Sequence, residues 1–92
     1  MPETMEELAG PLTGVVMLPE RLDWSERAAF RLDVPAERNL MYERVIREAT
    51  QPGDLREYLN GAALREAWQS LFLPARVRSM WEERFPDLTL AA

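Results

Sequence analysis

One amphipathic stretch, residues 35–50, limits the folds open to this chain more than any other. Its apolar side chains recur at i, i+4 spacing in two adjacent rows: Met41, Val45, Ala49, Tyr42 and Ile46. Its charged side chains fall on the opposite side: Glu37, Arg38, Glu43, Arg44, Arg47 and Glu48. This pattern predicts a helix with one buried face, so the rest of the chain must supply the elements that cover that face.

Both ends of this helix are marked in the sequence. Pro35 can occupy the first turn, where no N–H is needed, and Asp33 just before it can supply the carboxylate that a helix start prefers. At the other end, the sequence TQPG at residues 50–53 does not continue a helix easily. We therefore expect the helix to run from Pro35 to Thr50.

Three shorter amphipathic segments follow. Asp54 and Glu57 have the spacing of an acidic capping box, and the short helix that they begin should stop at Asn60 and Gly61, with Gly61 in the left-handed conformation. Residues 62–72 and 74–85 carry apolar stripes at helical spacing: Leu64, Ala67, Trp68 and Leu71 in the first, Val77, Met80, Trp81 and Phe85 in the second. These segments predict helices that pack on the first one.

The first third of the chain has a different pattern. Residues 1–14 hold two prolines and two glycines, so we expect an acidic, flexible tail there. Residues 15–18 are consecutively apolar, and the alternation over residues 28–34 is typical of an extended segment. These two segments could form only a two-stranded ribbon. Residues 24–29 also fit a short helix capped by Asp23, so the sequence leaves their conformation open.

The predicted fold class is mainly α. A chain of 92 residues makes one domain, which buries about 60–65 % of its unfolded surface. We expect a compact domain of three to four helices over residues 15–88, with an extended arm from about Val15 to Val34 that forms a short ribbon if residues 15–18 pair with it. Residues 89–92 are expected to be a C-terminal tail.

The composition narrows the classes of function. The chain has no cysteine and no histidine, which removes disulfides, thiolate nucleophiles, zinc sites and the usual general base of neutral pH. The adjacent pairs Glu6–Glu7 and Glu82–Glu83 point about 100° apart on a helix and do not converge on a metal or a substrate. We therefore expect a protein that is not an enzyme and uses no cofactor or metal.

The charge and the apolar runs bear on partner and location. The chain has 16 acidic and 11 basic residues, a net charge of −5, and every basic residue is arginine. Nucleic-acid binders normally present a basic stripe, and none is visible. The apolar runs are too short to span a bilayer, and the acidic opening MPETMEELAG is unlike a signal peptide. We expect a cytoplasmic protein that binds neither membranes nor nucleic acid.

The tryptophans differ in context. Trp68 and Trp81 lie in the apolar stripes, where large aromatic side chains usually pack in the core. Trp24 lies outside any helical stripe, between Asp23 and Ser25, so core packing and a contact with a partner are both compatible with its position.

A helix-turn-helix DNA-binding regulator is the alternative function. Two helices joined by a short turn at Pro74 could place one of them in a major groove, with arginines available to contact DNA: Arg65, Arg76, Arg78 and Arg84. Neighbouring glutamates cancel much of this charge: Glu66, Glu82 and Glu83.

Four segments resemble a known family. They are LPERLDW at 18–24, YERVIREAT at 42–50, DLREYLNG at 54–61 and LFLPARVRSMWEERFPDL at 71–88. Together they are similar to small actinobacterial proteins encoded beside AbiEii-type nucleotidyltransferase toxins. The resemblance covers residues 18–88 and implies a non-catalytic antitoxin that binds such a toxin and holds it inactive; it assigns no individual contact residues.

The resulting prediction is a protein-interaction module, an antitoxin that neutralises a nucleotidyltransferase toxin. An acidic chain suits a partner whose cleft must be basic to hold tRNA. The residues predicted to contact the partner are on the arm and on the outer face of the 35–50 helix: Arg21, Asp23, Trp24, Phe30, Arg44 and Arg47.

Overall fold

The computed structural model describes residues 3–19, 22, 29–49 and 51–90. The described residues form a two-stranded antiparallel ribbon, β1 (Val15–Met17) and β2 (Ala29–Arg31), and five α-helices: α1 (Pro35–Glu48), α2 (Pro52–Tyr58), α3 (Gly61–Ala67), α4 (Ala75–Arg84) and α5 (Asp87–Leu90). Two short 3₁₀ turns, Met5–Glu7 and Trp68–Ser70, complete the order. The predicted mainly α fold with a small ribbon is confirmed.

Helix α1 has the buried face that its periodicity predicts. Met41, Tyr42 and Val45 are fully buried, and Ile46 is nearly so. The helix begins at Pro35, whose fixed φ suits the first turn, and Val34 takes the capping position. The prediction of an Asp33 cap is therefore wrong, because Asp33 lies one residue outside that position and no side chain bonds there.

The helix is also shorter than predicted at its end. Ala49 turns to an extended conformation while its N–H donates to the Val45 carbonyl at 2.9 Å, so the helix closes at Glu48. Thr50 lies outside the described residues.

The ribbon pairs Val15 with Arg31, Val16 with Phe30, and Met17 with Ala29. Val16 and Phe30 face the core, and Leu32 N–H extends the ladder by donating to the Gly14 carbonyl at 2.8 Å. The apolar residues of 28–34 thus alternate as predicted over the described part of that segment. The residues between the strands whose conformation the sequence left open, Trp24 to Ala28, are outside the described residues.

The N-terminal segment contradicts the expected flexible tail. Met5 and Leu8 are 6 % and 2 % exposed and belong to the main core. The Gly61 N–H donates to the Leu8 carbonyl and the Gly10 N–H to the Leu59 carbonyl, both at 2.8 Å. These bonds fix the segment in the turn between α2 and α3, and the side chains of Met5 and Leu8 anchor it in the core.

The junction of α2 and α3 corrects two further predictions. Helix α2 begins at Pro52, so Asp54 caps from inside the helix by accepting the Gln51 N–H at 3.4 Å. Asn60 does not stop a helix but starts α3: its side-chain oxygen accepts the N–H groups of Ala62 at 3.0 Å and Ala63 at 3.2 Å. Gly61 is the first residue of α3 and is not left-handed, since Gly14 alone has a positive φ among the described glycines.

The last helices close the core with a group of aromatic rings that are tilted against one another. Trp68 and Trp81 are buried as predicted, with ring centroids 6.2 Å apart, and Phe85 lies 5.7 Å from Trp81. Beyond Pro86 the chain forms α5, in which Leu88 is fully buried, so residues 89 and 90 belong to a helix and not to the predicted C-terminal tail. Residues 91 and 92 lie outside the described residues. Among the described residues, no helix has both the length and the apolarity that crossing a bilayer requires.

Candidate functional site

Phe72 is the most exposed large apolar side chain in the described part of the chain, at 83 %. It lies in the connection between the Trp68–Ser70 turn and α4, and its neighbour Leu71 is buried. Aromatic side chains in so small a domain normally pack in the core. Phe72 is almost wholly exposed to water, so core packing does not explain its presence.

The backbone that leads into Phe72 is held by two charged side chains. The Phe72 N–H donates to Oε2 of Glu43 on α1 at 3.0 Å. The guanidinium of Arg78 on α4 donates to the carbonyls of Trp68, at 3.3 Å, and Leu71. The connection is therefore tied to α1 and to α4, and it presents the phenyl ring from a fixed position.

The side chain of Arg78 contacts Trp68 and Glu82 and does not form part of an outward basic face. Its guanidinium carbon lies 5.0 Å from the centroid of the Trp68 ring, and the Trp68 indole N–H donates to Glu82 Oε2 at 2.9 Å. Arg78 also forms an ion pair with Glu82, with 3.8 Å between Nη1 of Arg78 and Oε2 of Glu82. Arg78, which the helix-turn-helix alternative uses for DNA contact, therefore turns its guanidinium toward the indole of Trp68.

Helix α1 presents a second group of side chains next to Phe72. Leu40, Glu43, Arg44 and Arg47 follow one another at i, i+3, i+4 and i+7, so they share the outer face of the helix. Leu40 is 46 % exposed and Arg47 is exposed, while Arg44 is half-buried. Since Glu43 binds the Phe72 backbone, we call these four residues and Phe72 the Phe72 surface: one phenyl ring and one leucine beside two arginines.

The predicted partner-binding residues have three different outcomes. Arg44 and Arg47 lie on the Phe72 surface. Phe30 is only 3 % exposed and packs in the core from β2, which corrects its assignment to a partner contact: in an alternating strand it shares the inner face with its cross-strand neighbour Val16. The remaining three lie outside the described residues: Arg21, Asp23 and Trp24.

Sequence reasoning missed Phe72, Leu40 and the inward role of Arg78. Phe72 stands in the apolar run LFLP, where only one of the three apolar residues continues the helical stripe of the preceding segment. That mismatch with the stripe was the available signal, and it was the same signal that drew attention to Trp24.

A second exposed apolar group lies on the ribbon. Val15 and Met17 are 62 % and 64 % exposed and point to the face of β1 opposite the core. Leu12 and Met80 are exposed as single side chains elsewhere.

The titratable groups with shifted pKa values have structural causes. The pKa of Glu7 is lowered, first by the N–H of Thr4 that its carboxylate accepts at 3.1 Å and also by Arg56, whose guanidinium lies at 2.9 Å. Burial raises the pKa of Tyr42, whose hydroxyl accepts the Asn60 N–H at 3.2 Å. Within the described residues there is no group of three or more carboxylates placed to hold a metal ion.

Comparisons of the chain with models of protein families, with curated proteins and with solved structures find no match. The functional argument therefore depends on the chain's own chemistry, in which an exposed phenylalanine on an anchored connection shares a surface with two arginines.

Proposed function

We propose that this chain is a protein-interaction module, and that it acts as an antitoxin that binds and neutralises a nucleotidyltransferase toxin. The observation that carries the proposal is Phe72, 83 % exposed on a connection whose backbone is bound by Glu43 and Arg78. The resemblance of residues 18–88 to antitoxin-like proteins names the class of partner.

Energetics support an interface role for Phe72. Full burial of a phenylalanine side chain contributes about 1.5–3 kcal/mol, and here nearly all of that remains available for association. The connection is already ordered, so binding loses less conformational entropy than it would with a mobile loop. Aromatic residues and arginines also dominate the energetic centres of protein interfaces.

Charge acts at two ranges in this proposal. At long range, a net charge of −5 attracts a protein whose active-site cleft is basic enough to hold tRNA. At contact, Arg44 and Arg47 beside Phe72 favour an apolar pocket with an acidic rim on the partner. The basic cleft and the acidic rim are different parts of the partner. The electrostatic field of the whole protein steers the encounter, whereas the charges at the contact surface determine docking.

The test uses the product of the gene adjacent to the one for this chain, which the proposal requires to be a nucleotidyltransferase, co-expressed and purified with this chain. We expect a stable complex that suppresses nucleotide transfer to tRNA. Phe72→Ala should raise the dissociation constant at least about tenfold, as expected for loss of an interface aromatic residue.

The matched control is Leu12→Ala, which truncates an exposed apolar side chain outside the Phe72 surface. Both variants should keep the thermal midpoint of the unmodified chain, since neither side chain is in the core. No complex with that transferase, or equal affinity of the two variants, would contradict the proposal. The arm residues Arg21, Asp23 and Trp24 stay predictions, and Trp24→Ala in the same assay reports on them.

A further inference from the structure

Helix α1 holds the backbone of two neighbouring segments through two glutamates on its surface. Oε1 of Glu37 accepts the N–H of Arg31 on β2 at 3.0 Å. Oε2 of the same carboxylate binds the Arg31 side chain, with Nε at 3.0 Å and a terminal nitrogen at 2.9 Å. One turn and a half farther along, Oε2 of Glu43 accepts the Phe72 N–H at 3.0 Å. The ribbon and the connection that carries Phe72 are therefore both fixed relative to α1.

These two segments flank the exposed face of α1. Glu37, Leu40 and Glu43 follow at i, i+3 and i+6, so each is turned about 60° from the one before it around the helix axis. Along the axis, Glu37 and Glu43 are about 9 Å apart. Leu40, which is 46 % exposed, lies midway between them. The exposed face of α1 is thus a ridge centred on Leu40, with the ribbon on one side and Phe72 on the other.

The ribbon adds two apolar side chains to this exposed surface. Arg31 reaches Glu37 from the face of the ribbon opposite the core, and its cross-strand neighbour on that face is Val15. Met17 follows Val15 at i+2, so it shares the face about 7 Å farther along the strand. Val15 and Met17 are 62 % and 64 % exposed. Apolar surface therefore continues on the ribbon side of α1.

The Phe72 surface alone is too small for a stable complex. A standard interface takes about 20–30 residues and about 800 Å² from each partner. The Phe72 surface has five residues, and an aromatic side chain contributes only about 150–250 Å². A partner that binds Phe72 tightly must therefore cover neighbouring surface as well, and the ribbon side of α1 supplies two exposed apolar side chains there.

We propose that the partner binds across the α1 ridge, with one wall against Phe72 and the other against Val15 and Met17. This inference rests on the proposed function, because it describes how the same nucleotidyltransferase is held. The partner surface is a groove wide enough for one helix, which measures about 10–12 Å with its side chains. Its walls are apolar, and acidic residues between them meet the two arginines of the Phe72 surface. Since Glu37 and Glu43 hold both flanks in place, binding costs less conformational entropy than it would with mobile segments.

The experiment measures the dissociation constant of the complex with the product of the adjacent gene. Met17→Glu sets a charge against the apolar wall without entering the core, and we expect it to raise the dissociation constant at least about tenfold. Met80→Glu on α4 is the matched control, because Met80 is an exposed methionine too, at 52 %, and the substitution adds the same charge. This control should stay within about twofold of the unmodified chain, since any change in long-range steering is common to both variants.

A second measurement uses the unmodified chain and does not depend on any variant folding. Met17 and Met80 are both exposed, so dilute hydrogen peroxide should oxidise both in the free chain. In the complex, mass spectrometry should show that the Met17 sulfur is protected and that Met80 stays reactive.

The outcomes separate this inference from the proposed function. If Phe72→Ala weakens the complex but Met17 stays as reactive as Met80, the inference is overturned and the proposed function stands. The same holds if Met17→Glu binds as tightly as Met80→Glu. Absence of any complex with the transferase overturns both.

Discussion

In the described part of the chain, four carboxylates bind backbone N–H groups that the helices and the ribbon leave unpaired. Glu7 accepts from Thr4 and Glu3, Glu37 from Arg31, Glu43 from Phe72, and Asp54 from Gln51. Each of these bonds joins a side chain to the backbone of a loop or of a strand edge. Single carboxylates therefore hold backbone segments that the hydrogen bonds of helices and strands do not hold. Among these carboxylates, Glu7 has a lowered pKa, and because protonation weakens the bonds that it accepts, the molecule should be sensitive to acid at this residue.

Glu7 allows that sensitivity to be measured. Its pKa in the folded chain is lowered below 4.5, mainly by the Thr4 N–H and further by Arg56. The stability that it contributes is therefore present above pH 4.5 and is lost as the pH falls through the lowered folded value. We expect the thermal midpoint of Glu7→Gln to fall less steeply than that of the unmodified chain between about pH 5 and pH 3.

Arg56→Gln provides the internal comparison for that experiment. It removes the guanidinium but leaves the Thr4 N–H in place, so the slope of the midpoint against pH should be intermediate. Identical slopes for Glu7→Gln and the unmodified chain would show that this carboxylate does not link folding to pH.

At the scale of elements, helix α3 and the N-terminal segment are in backbone contact. A β-carbon added at Gly61 would overlap the carbonyl of Met5, whereas one added at Gly53 in α2 has open space around it. We expect Gly61→Ala to lower the free energy of unfolding by about 1–3 kcal/mol, because the segment must shift away from the helix. Gly53→Ala should stay within about 0.5 kcal/mol of the unmodified chain.

Urea unfolding of the two variants separates a steric effect from a general effect of alanine. Both substitutions add the same methyl group near the start of a short helix, so they share any change in helix propensity. A midpoint for Gly61→Ala that matches Gly53→Ala would mean that Met5 and α3 are not in close contact.

At the scale of the whole molecule, the N-terminal segment is a large share of a small core. Burial of Met5 and Leu8 contributes about 3–6 kcal/mol together, against a total of about 5–14 kcal/mol for 92 residues. Deletion of residues 1–10 should therefore abolish or sharply weaken cooperative unfolding, as followed by circular dichroism in urea. A deletion variant with an unchanged urea midpoint would contradict the core role of these side chains.

The parts of the fold that the sequence predicted depend on local periodicity. The buried face of α1, the alternation around Phe30 and the core positions of Trp68 and Trp81 are all visible within one turn or one strand. Prolines at residues 35, 74 and 86 also mark boundaries correctly, because a missing N–H restricts a helix wherever it occurs.

The parts that it did not predict depend on contacts between distant segments. Met5 and Leu8 appear as isolated apolar residues until the turn at Asn60 and Gly61 is placed beside them. The same holds for the candidate site: Phe72 is exposed because Leu71 and Leu73, its neighbours in an equally apolar run, pack inward toward the core. The helical stripe of Leu64, Trp68 and Leu71 sets Leu71 apart, but no local pattern distinguishes Phe72 from Leu73.

The burial of Met5 and Phe85 in one core has a practical consequence, because it brings the N-terminal segment beside the turn that precedes α5. Thr4 and Met5 line the same groove as Phe85, Pro86 and Asp87. A short flexible linker could therefore join the two ends, and new ends could be opened between α1 and α2 to give a circularly permuted chain with the same core. In such a permutant the new termini lie at residues 50–51, where a reporter domain can be fused. The segment containing Met5 then lies in the interior of the sequence.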